Sequence, residues 1–190
     1  MRLFVGVRPP EPVLDRVAEL VESLRRASGA VGAAGAAEAV RWTSREQWHV
    51  TLRFFGEVDD PAPVVEALEQ AELMPAGASL GPAVRMLGRQ VVCAPVSGLD
   101  ALATAVVGAS AHLGQPPDPR PFRGHVTLAR VRRRGGGGGR TGRSALRTAL
   151  AGVIGAEIAA SWPVEEVALV RSRLDSDRPR YEDLHVRRLS

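Results

Sequence analysis

The tetrapeptide His49-Val50-Thr51-Leu52 returns unchanged as His125-Val126-Thr127-Leu128, one copy in each half of a 190-residue chain. Each copy lies in a run that reads as a strand, 48–55 and 122–131. Successive side chains on a strand point to opposite faces. His49 and Thr51 therefore share one face and Val50 and Leu52 the other, and His125, Thr127, Val126 and Leu128 divide in the same way. Two similar halves must bury the Val–Leu faces and keep the His–Thr faces free. If a pseudo-two-fold relates them, two imidazoles and two hydroxyls converge across one groove.

The flanking pattern agrees with two similar lobes. Arg2–Arg8 alternates as a short strand, with Leu3, Val5 and Val7 on one face and Phe4 and Gly6 on the other. Pro9 ends it. Pro12 suits a first helical turn, and Val13, Leu14, Val17, Leu20, Val21 and Leu24 follow at helical spacing as far as Gly29. Val40-Arg41-Trp42 reads as a short strand, and Ser44-Arg45-Glu46-Gln47 has the spacing of a capping box. Helices are expected over Pro61–Leu73, Leu99–Leu113 and Ser144–Leu150. Further strands are expected over Ser79–Leu87, Gln90–Val96, Glu157–Ala160, Val164–Arg173 and Tyr181–Leu189. Gly29–Ala39, Gln115–Arg120, Arg132–Arg143 and Asp175–Arg180 read as loops and turns. The expected fold is α+β over residues 1–190: a single bilobal domain, with two antiparallel sheets flanking a cleft and helices outside.

Composition narrows the chemistry. Hydrophobic residues make up 45%, enough for a core, and no run reaches the ~18 apolar residues of a membrane span. The first ten residues hold too short an apolar stretch for a signal peptide. A cytoplasmic monomer with no membrane contact is the expectation. Cys93 is the only cysteine, so an intrachain disulfide is excluded, and its apolar surroundings mark it as a buried packing residue. All 25 basic residues are arginine. Without lysine there is no Walker loop, no Schiff base and no adenylylated lysine. Arginine does grip phosphate as a bidentate fork, and a net charge of +4 is compatible with a phosphate-bearing partner.

Imidazoles give and take protons near neutral pH. A pair of them, one neutral and one protonated, suits in-line displacement at phosphorus: one deprotonates water and the other protonates the leaving oxygen. Hydroxyls of Thr51 and Thr127 suit phosphate oxygens. No metal is expected. His112 and His185, the other two histidines, form no local ligand cluster and read as surface or packing residues. No cofactor is called for. Arg53 shares the parity of His49 and Thr51 and is a candidate substrate contact. Arg130 follows the second motif, but strict alternation turns it toward the core, and only a bend or a strand end brings it to the groove. Trp42, Phe4 and Tyr181 have the rings to stack on a base, with core packing the expectation for each.

These residues resemble the 2H phosphoesterase superfamily, marked by two H-x-[ST]-hydrophobic motifs, and within it the bacterial RNA 2′,3′-cyclic phosphodiesterases, also called 2′-5′ RNA ligases. The resemblance rests on Arg2–Val7 with Pro9-Pro10, on Trp48–Val58, on Phe122–Arg130, and on Leu169–Leu174 with Tyr181 and Leu184. It departs at Gly124, where members often carry Pro, and at the run Gly135–Gly139. The resemblance implies a bilobal fold with a V-shaped cleft, and hydrolysis of a 2′,3′-cyclic phosphate at an RNA end to a 2′-phosphomonoester. It further implies His49 as proton donor, His125 as acceptor, and Thr51 and Thr127 on phosphate oxygens. The residues themselves leave the two histidine roles interchangeable. Two other readings stay open: a non-catalytic RNA-end binder, and a 2H enzyme acting on a small cyclic nucleotide.

Overall fold

A computed structural model describes residues 1–29, 40–131, 150–175 and 178–190. The loops expected at Gly29–Ala39 and Arg132–Arg143, the helix at Ser144–Leu150 apart from Leu150, and the centre of the Asp175–Arg180 turn lie outside them.

In chain order the elements are β1 Arg2–Val7, α1 Glu11–Gly29, β2 Val40–Trp42, a 3-10 turn Arg45–Gln47, β3 Val50–Glu57, α2 Ala62–Gln70, β4 Ala76–Leu80, β5 Arg85–Leu87, β6 Val91–Ser97, α3 Asp100–Ser110, β7 His125–Val131, β8 Ala160–Val164, β9 Glu166–Asp175 and β10 Arg178–Arg188. The expected α+β class, with antiparallel sheets, holds. The strand expected over Ser79–Leu87 is divided at Gly81-Pro82. Gly81 takes φ +117°, and a Cβ there would lie 2.0 Å from the carbonyl oxygen of Ile158. Pro82 has no N–H to give a ladder, and the pairing of β4 ends at Leu80.

All strand pairs are antiparallel. The strands run β10-β9-β1-β3 in one lobe and β7-β6-β4-β8 in the other, with β2 beside β7 and β5 beside β6. One residue pair, Val50 with Val126, joins β3 to β7 and so joins the lobes. These are the same residue of the repeat, so the pseudo-two-fold passes between them. Around that axis β1 corresponds to β6, α1 to α3 and β3 to β7: in each lobe a strand leads through a helix to the motif strand, which pairs back on the first. The ladder stops at a single pair, and the strands separate beyond it.

The apolar half of each motif goes where alternation sends it. Val50, Leu52, Val126 and Leu128 are all buried, beside Leu3, Val5 and Val7 of β1. α1 buries Val13, Leu14, Val17, Val21 and Leu24. It packs against β8 of the second lobe, where Arg16 donates to the Ala159 carbonyl at 3.0 Å. α3 crosses the other way and packs on β3 and α2.

Candidate active site

Val50 and Val126 stand at the centre of a small rectangle. His49 and Thr51 flank the first of them in sequence, and His125 and Thr127 the second. All four line one cavity of about 500 Å³, within the range of small-molecule sites. The cavity is completed by Arg2, Phe4 and Phe54 from the first lobe, by Arg41, Trp42, Thr43 and Arg130 from the second lobe and its adjoining strand, and by Ser172, Leu174, Pro179 and Tyr181 of the β9–β10 hairpin.

Both imidazoles are anchored alike. Nδ1 of His49 donates to the Gln47 carbonyl at 2.8 Å, and Nδ1 of His125 donates to the Arg123 carbonyl at 2.7 Å. A carbonyl only accepts, so each Nδ1 carries hydrogen and each Nε2 is left for proton transfer. Gln47 is itself held: its side-chain oxygen accepts from the Ser44 N–H at 3.1 Å, closing the 3-10 turn, and its amide donates to the Pro179 carbonyl at 2.8 Å.

The surroundings of the two rings differ. His49 stacks on Phe4, centroids 4.6 Å apart, and meets the edge of Tyr181 at 5.0 Å. Gly6 permits this closeness, since a Cβ there would stand 2.9 Å from the Val50 carbonyl oxygen and 3.3 Å from the Phe4 ring. Desolvation pushes the His49 pKa down to about 4, the Gln47 carbonyl opposes the shift, and the charges of Arg8, His125 and Arg130 add to it. His49 is therefore neutral at pH 7, and Thr51 Oγ1 lies 3.0 Å from its Nε2, donating to the free lone pair.

Two β-bulges then rearrange the arginines. On β3 the register runs Gly6↔Thr51 and next Val5↔Arg53, passing over Leu52. On β7 it runs Cys93↔Thr127 and next Val92↔Ala129, passing over Leu128. The extra residue falls at the same place in each copy and reverses the parity of the two residues that follow it. Arg130 consequently turns into the cavity beside the histidines and threonines. Arg53 does the opposite, and its expected place on the His49 face is corrected here. It is 3% exposed and points to the far side of the sheet. There it donates to Ser110 Oγ at 2.8 Å, to the Leu113 carbonyl at 2.7 Å and to the Val107 carbonyl at 3.3 Å. Its guanidinium also lies over the Phe55 ring at 4.5 Å. Arg53 closes the C-terminus of α3, where carbonyls lack partners and the helix dipole favours a cation.

Of the three rings, Phe4 is buried beneath His49, whereas Trp42 and Tyr181 reach the cavity wall as well as packing on their neighbours. Sequence reasoning passed over Arg2, Arg41, Thr43 and Phe54. Phe54 was reachable from the repeat, because it stands three residues after Thr51 as Arg130 stands three after Thr127. Thr43 bridges the second bulge: its hydroxyl lies 2.7 and 2.8 Å from the Thr127 and Leu128 carbonyls, its N–H donates to the latter at 2.9 Å, and the Trp48 indole donates to its oxygen at 3.0 Å. Among the described residues no group of three His, Cys, Asp or Glu side chains is placed to hold a metal ion, and no helix is long and apolar enough to cross a membrane. His185 pairs with Glu69 at 2.6 Å, away from the cavity, and Cys93 is fully buried.

Comparison with known proteins gives the same outline. The structure superposes on TT0787 of Thermus thermophilus with a TM-score of 0.70 at 28% identity, covering 100% of this chain and 98% of that one. It superposes on E. coli LigT complexed with 3′-AMP with a TM-score of 0.68 at 22% identity, over 100% and 98% of the two chains. The PDE domain of MHV ns2 follows with a TM-score of 0.55 at 15% identity, over 88% and 96%. No curated protein matches the chain. The family model for LigT-like phosphoesterases matches residues 7–80 and 94–181, which take in both histidine motifs and most of the strands of both lobes, and the chain belongs to that family, within the 2H phosphoesterase superfamily.

Proposed function

We propose that the protein is an RNA 2′,3′-cyclic phosphodiesterase that opens the cyclic phosphate at an RNA end to a 2′-phosphomonoester. The family supports a phosphodiester-cleaving or phosphodiester-joining activity in general. The observation that carries the finer reading is the rectangle about Val50 and Val126: two imidazoles held through Nδ1 and two hydroxyls on one cavity, with Arg130 beside them. That E. coli LigT has been crystallised with 3′-AMP supports a nucleotide in the same cleft.

In the proposed step His125 Nε2 takes a proton from water. The water oxygen forms a bond to phosphorus while the bond from phosphorus to O3′ breaks opposite it. His49 Nε2 gives its proton to O3′, leaving the phosphate on O2′. Thr51, Thr127 and Arg130 hold the non-bridging oxygens, whose charge grows as water adds. His49 is neutral in the free protein, so its donor role depends on the bound anion restoring the proton: an opposite charge beside an imidazole favours the charged form. With the 5′-hydroxyl of a second RNA end in place of water, the same two transfers open the cyclic phosphate into a 2′-5′ linkage; bulk water opposes this joining, and ligation is a side activity. The step uses no metal or cofactor.

The test is incubation with an oligonucleotide bearing a 2′,3′-cyclic end, with product identification. Hydrolysis to the 2′-phosphate in excess chelator is expected, and His49→Ala and His125→Ala should each lower kcat by roughly 10²–10⁴-fold while remaining folded. Saturable binding with the cyclic end left intact would make the protein an RNA-end binder instead. A 3′-phosphate product would keep the acid–base pair and overturn the regiochemistry.

A further inference from the structure

β2 lies against β7 with Arg41 directly opposite Arg130, and both residues line the cavity. Like charges facing each other across two strands destabilise a sheet. Nothing nearby offsets the repulsion: among the described residues lining the cavity the charged side chains are Arg2, Arg41 and Arg130, with no carboxylate. Nη2 of Arg41 is buried and has no hydrogen-bond partner among the described residues. A buried donor of a cationic group costs free energy when left unmet, and native structures leave few of them. Arg53 and Arg187 also have a buried Nε without a hydrogen-bond partner, but their other nitrogens bond to protein oxygens, and Arg8 pairs with Asp183, Arg45 with Asp15 and Arg171 with Glu182. Arg41 is built to meet an anion that the protein does not itself provide.

The scissile phosphate must lie between the two Nε2 atoms to receive and lose its protons. Arg130 is three residues beyond Thr127, and Arg41 is one strand further from the histidines. We propose that Arg41, one strand beyond Arg130, forms a second phosphate subsite that takes the 5′-phosphate of the terminal nucleotide while the cyclic phosphate lies at the histidines. This rests on the cyclic phosphodiesterase reading and narrows its substrate to molecules carrying two phosphates about one nucleoside apart. Such a phosphate belongs either to the internucleotide linkage of an RNA chain or to a mononucleotide phosphorylated on its 5′-oxygen. A guanidinium fork grips either one by two parallel hydrogen bonds.

The experiment compares kcat/KM for three substrates: adenosine 2′,3′-cyclic phosphate, its 5′-phosphorylated form, and the dinucleotide ApA ending in a 2′,3′-cyclic phosphate. The wild-type protein should prefer both two-phosphate substrates to the first by about tenfold or more, the range of one charge-assisted contact. Arg41→Gln should collapse that preference toward one, and Arg41→Lys should keep part of it; thermal melts of both variants confirm folding. The dependence of log KM on log salt for the dinucleotide should lose about 0.7 in slope in Arg41→Gln, the value for one phosphate contact on a single strand. A gain confined to the dinucleotide would assign the linkage as the source. A wild-type protein that turns over all three equally, or a preference untouched by both variants, overturns the subsite alone. No turnover of any of the three overturns the activity on which it rests.

Discussion

His49 lies against Phe4 and Tyr181, and that contact has a consequence for stability. Its pKa falls from an ordinary 6.5 to about 4 in the fold. Above pH 6.5 the ring is neutral in both states and contributes nothing. As pH falls toward 4 the unfolded chain takes up a proton that the folded one refuses, so the fold loses stability, and below 4 the loss levels off. The full penalty is about 3 kcal/mol. Denaturant midpoints for the wild type should therefore drop between pH 6.5 and 4 more steeply than those of His49→Gln, which has nothing to titrate there. Parallel curves for the two proteins would show that the ring is well solvated. Arg53 yields a second expectation. Losing it takes a donor from the carbonyls of Val107 and Leu113, while the Ser110 hydroxyl keeps its bond to the Val106 carbonyl, so Arg53→Ala should cost about 3 kcal/mol, since each buried group left unmet costs about 1–3. The part that remains folded should hydrolyse substrate with an unchanged KM, because the side chain never faces the cleft. A raised KM in a stably folded variant would return Arg53 to the substrate.

Among the elements, the paired bulges on β3 and β7 decide which side chains become chemical. Much of the strand content was legible: the duplicated His-x-Thr, the buried Val–Leu partners, the turn at Ser44–Gln47 and the helix from Glu11 all follow from period and capping. The bulges were not. Leu52 and Leu128 are ordinary strand residues with no glycine to mark an irregularity, and strict alternation past them sends Arg53 outward and Arg130 inward, the reverse of what is found. The cause lies in tertiary pairing, since the extra residue is defined only against β1 or β6, and no local pattern carries it. Thr43 was illegible for a related reason: its value lies in carbonyls 84 and 85 residues away that the β7 bulge leaves for it. Those bonds hold the bulge, and the bulge aims Arg130. Thr43→Val keeps the shape and removes the hydroxyl, so it should raise KM by about tenfold for a stability cost of about 1–2 kcal/mol, whereas Thr43→Ser should stay near wild type. In an Arg130→Ala background Thr43→Val should raise KM no further. Additive effects would mean that the hydroxyl acts by another route.

At the scale of the whole molecule, the two lobes are joined by very little sheet and by a great deal of helix. A single backbone pair, Val50 with Val126, links β3 to β7. By sheet pairing alone the lobes would be two small units of four and six strands. The helices change this. α1 begins in the first lobe and packs on β8 of the second, while α3 begins in the second and packs on β3 and α2 of the first, where Arg53 locks its end. Each lobe thus contributes a helix to its partner's core. That arrangement holds the Nε2 atoms of His49 and His125 on one cavity despite the thin seam, and general acid–base chemistry needs such fixed placement. It also predicts one cooperative transition. Trp48 is buried in the first lobe at 4% exposure and Trp162 in the second at 5%. With Trp42 replaced by Phe throughout, variants that retain only Trp48 or only Trp162 should each give a fluorescence midpoint that matches the far-UV circular dichroism midpoint of the same variant. Separate midpoints within a variant would mean that the lobes are independent units, and the distance between the histidines would then be set by the Val50–Val126 seam alone.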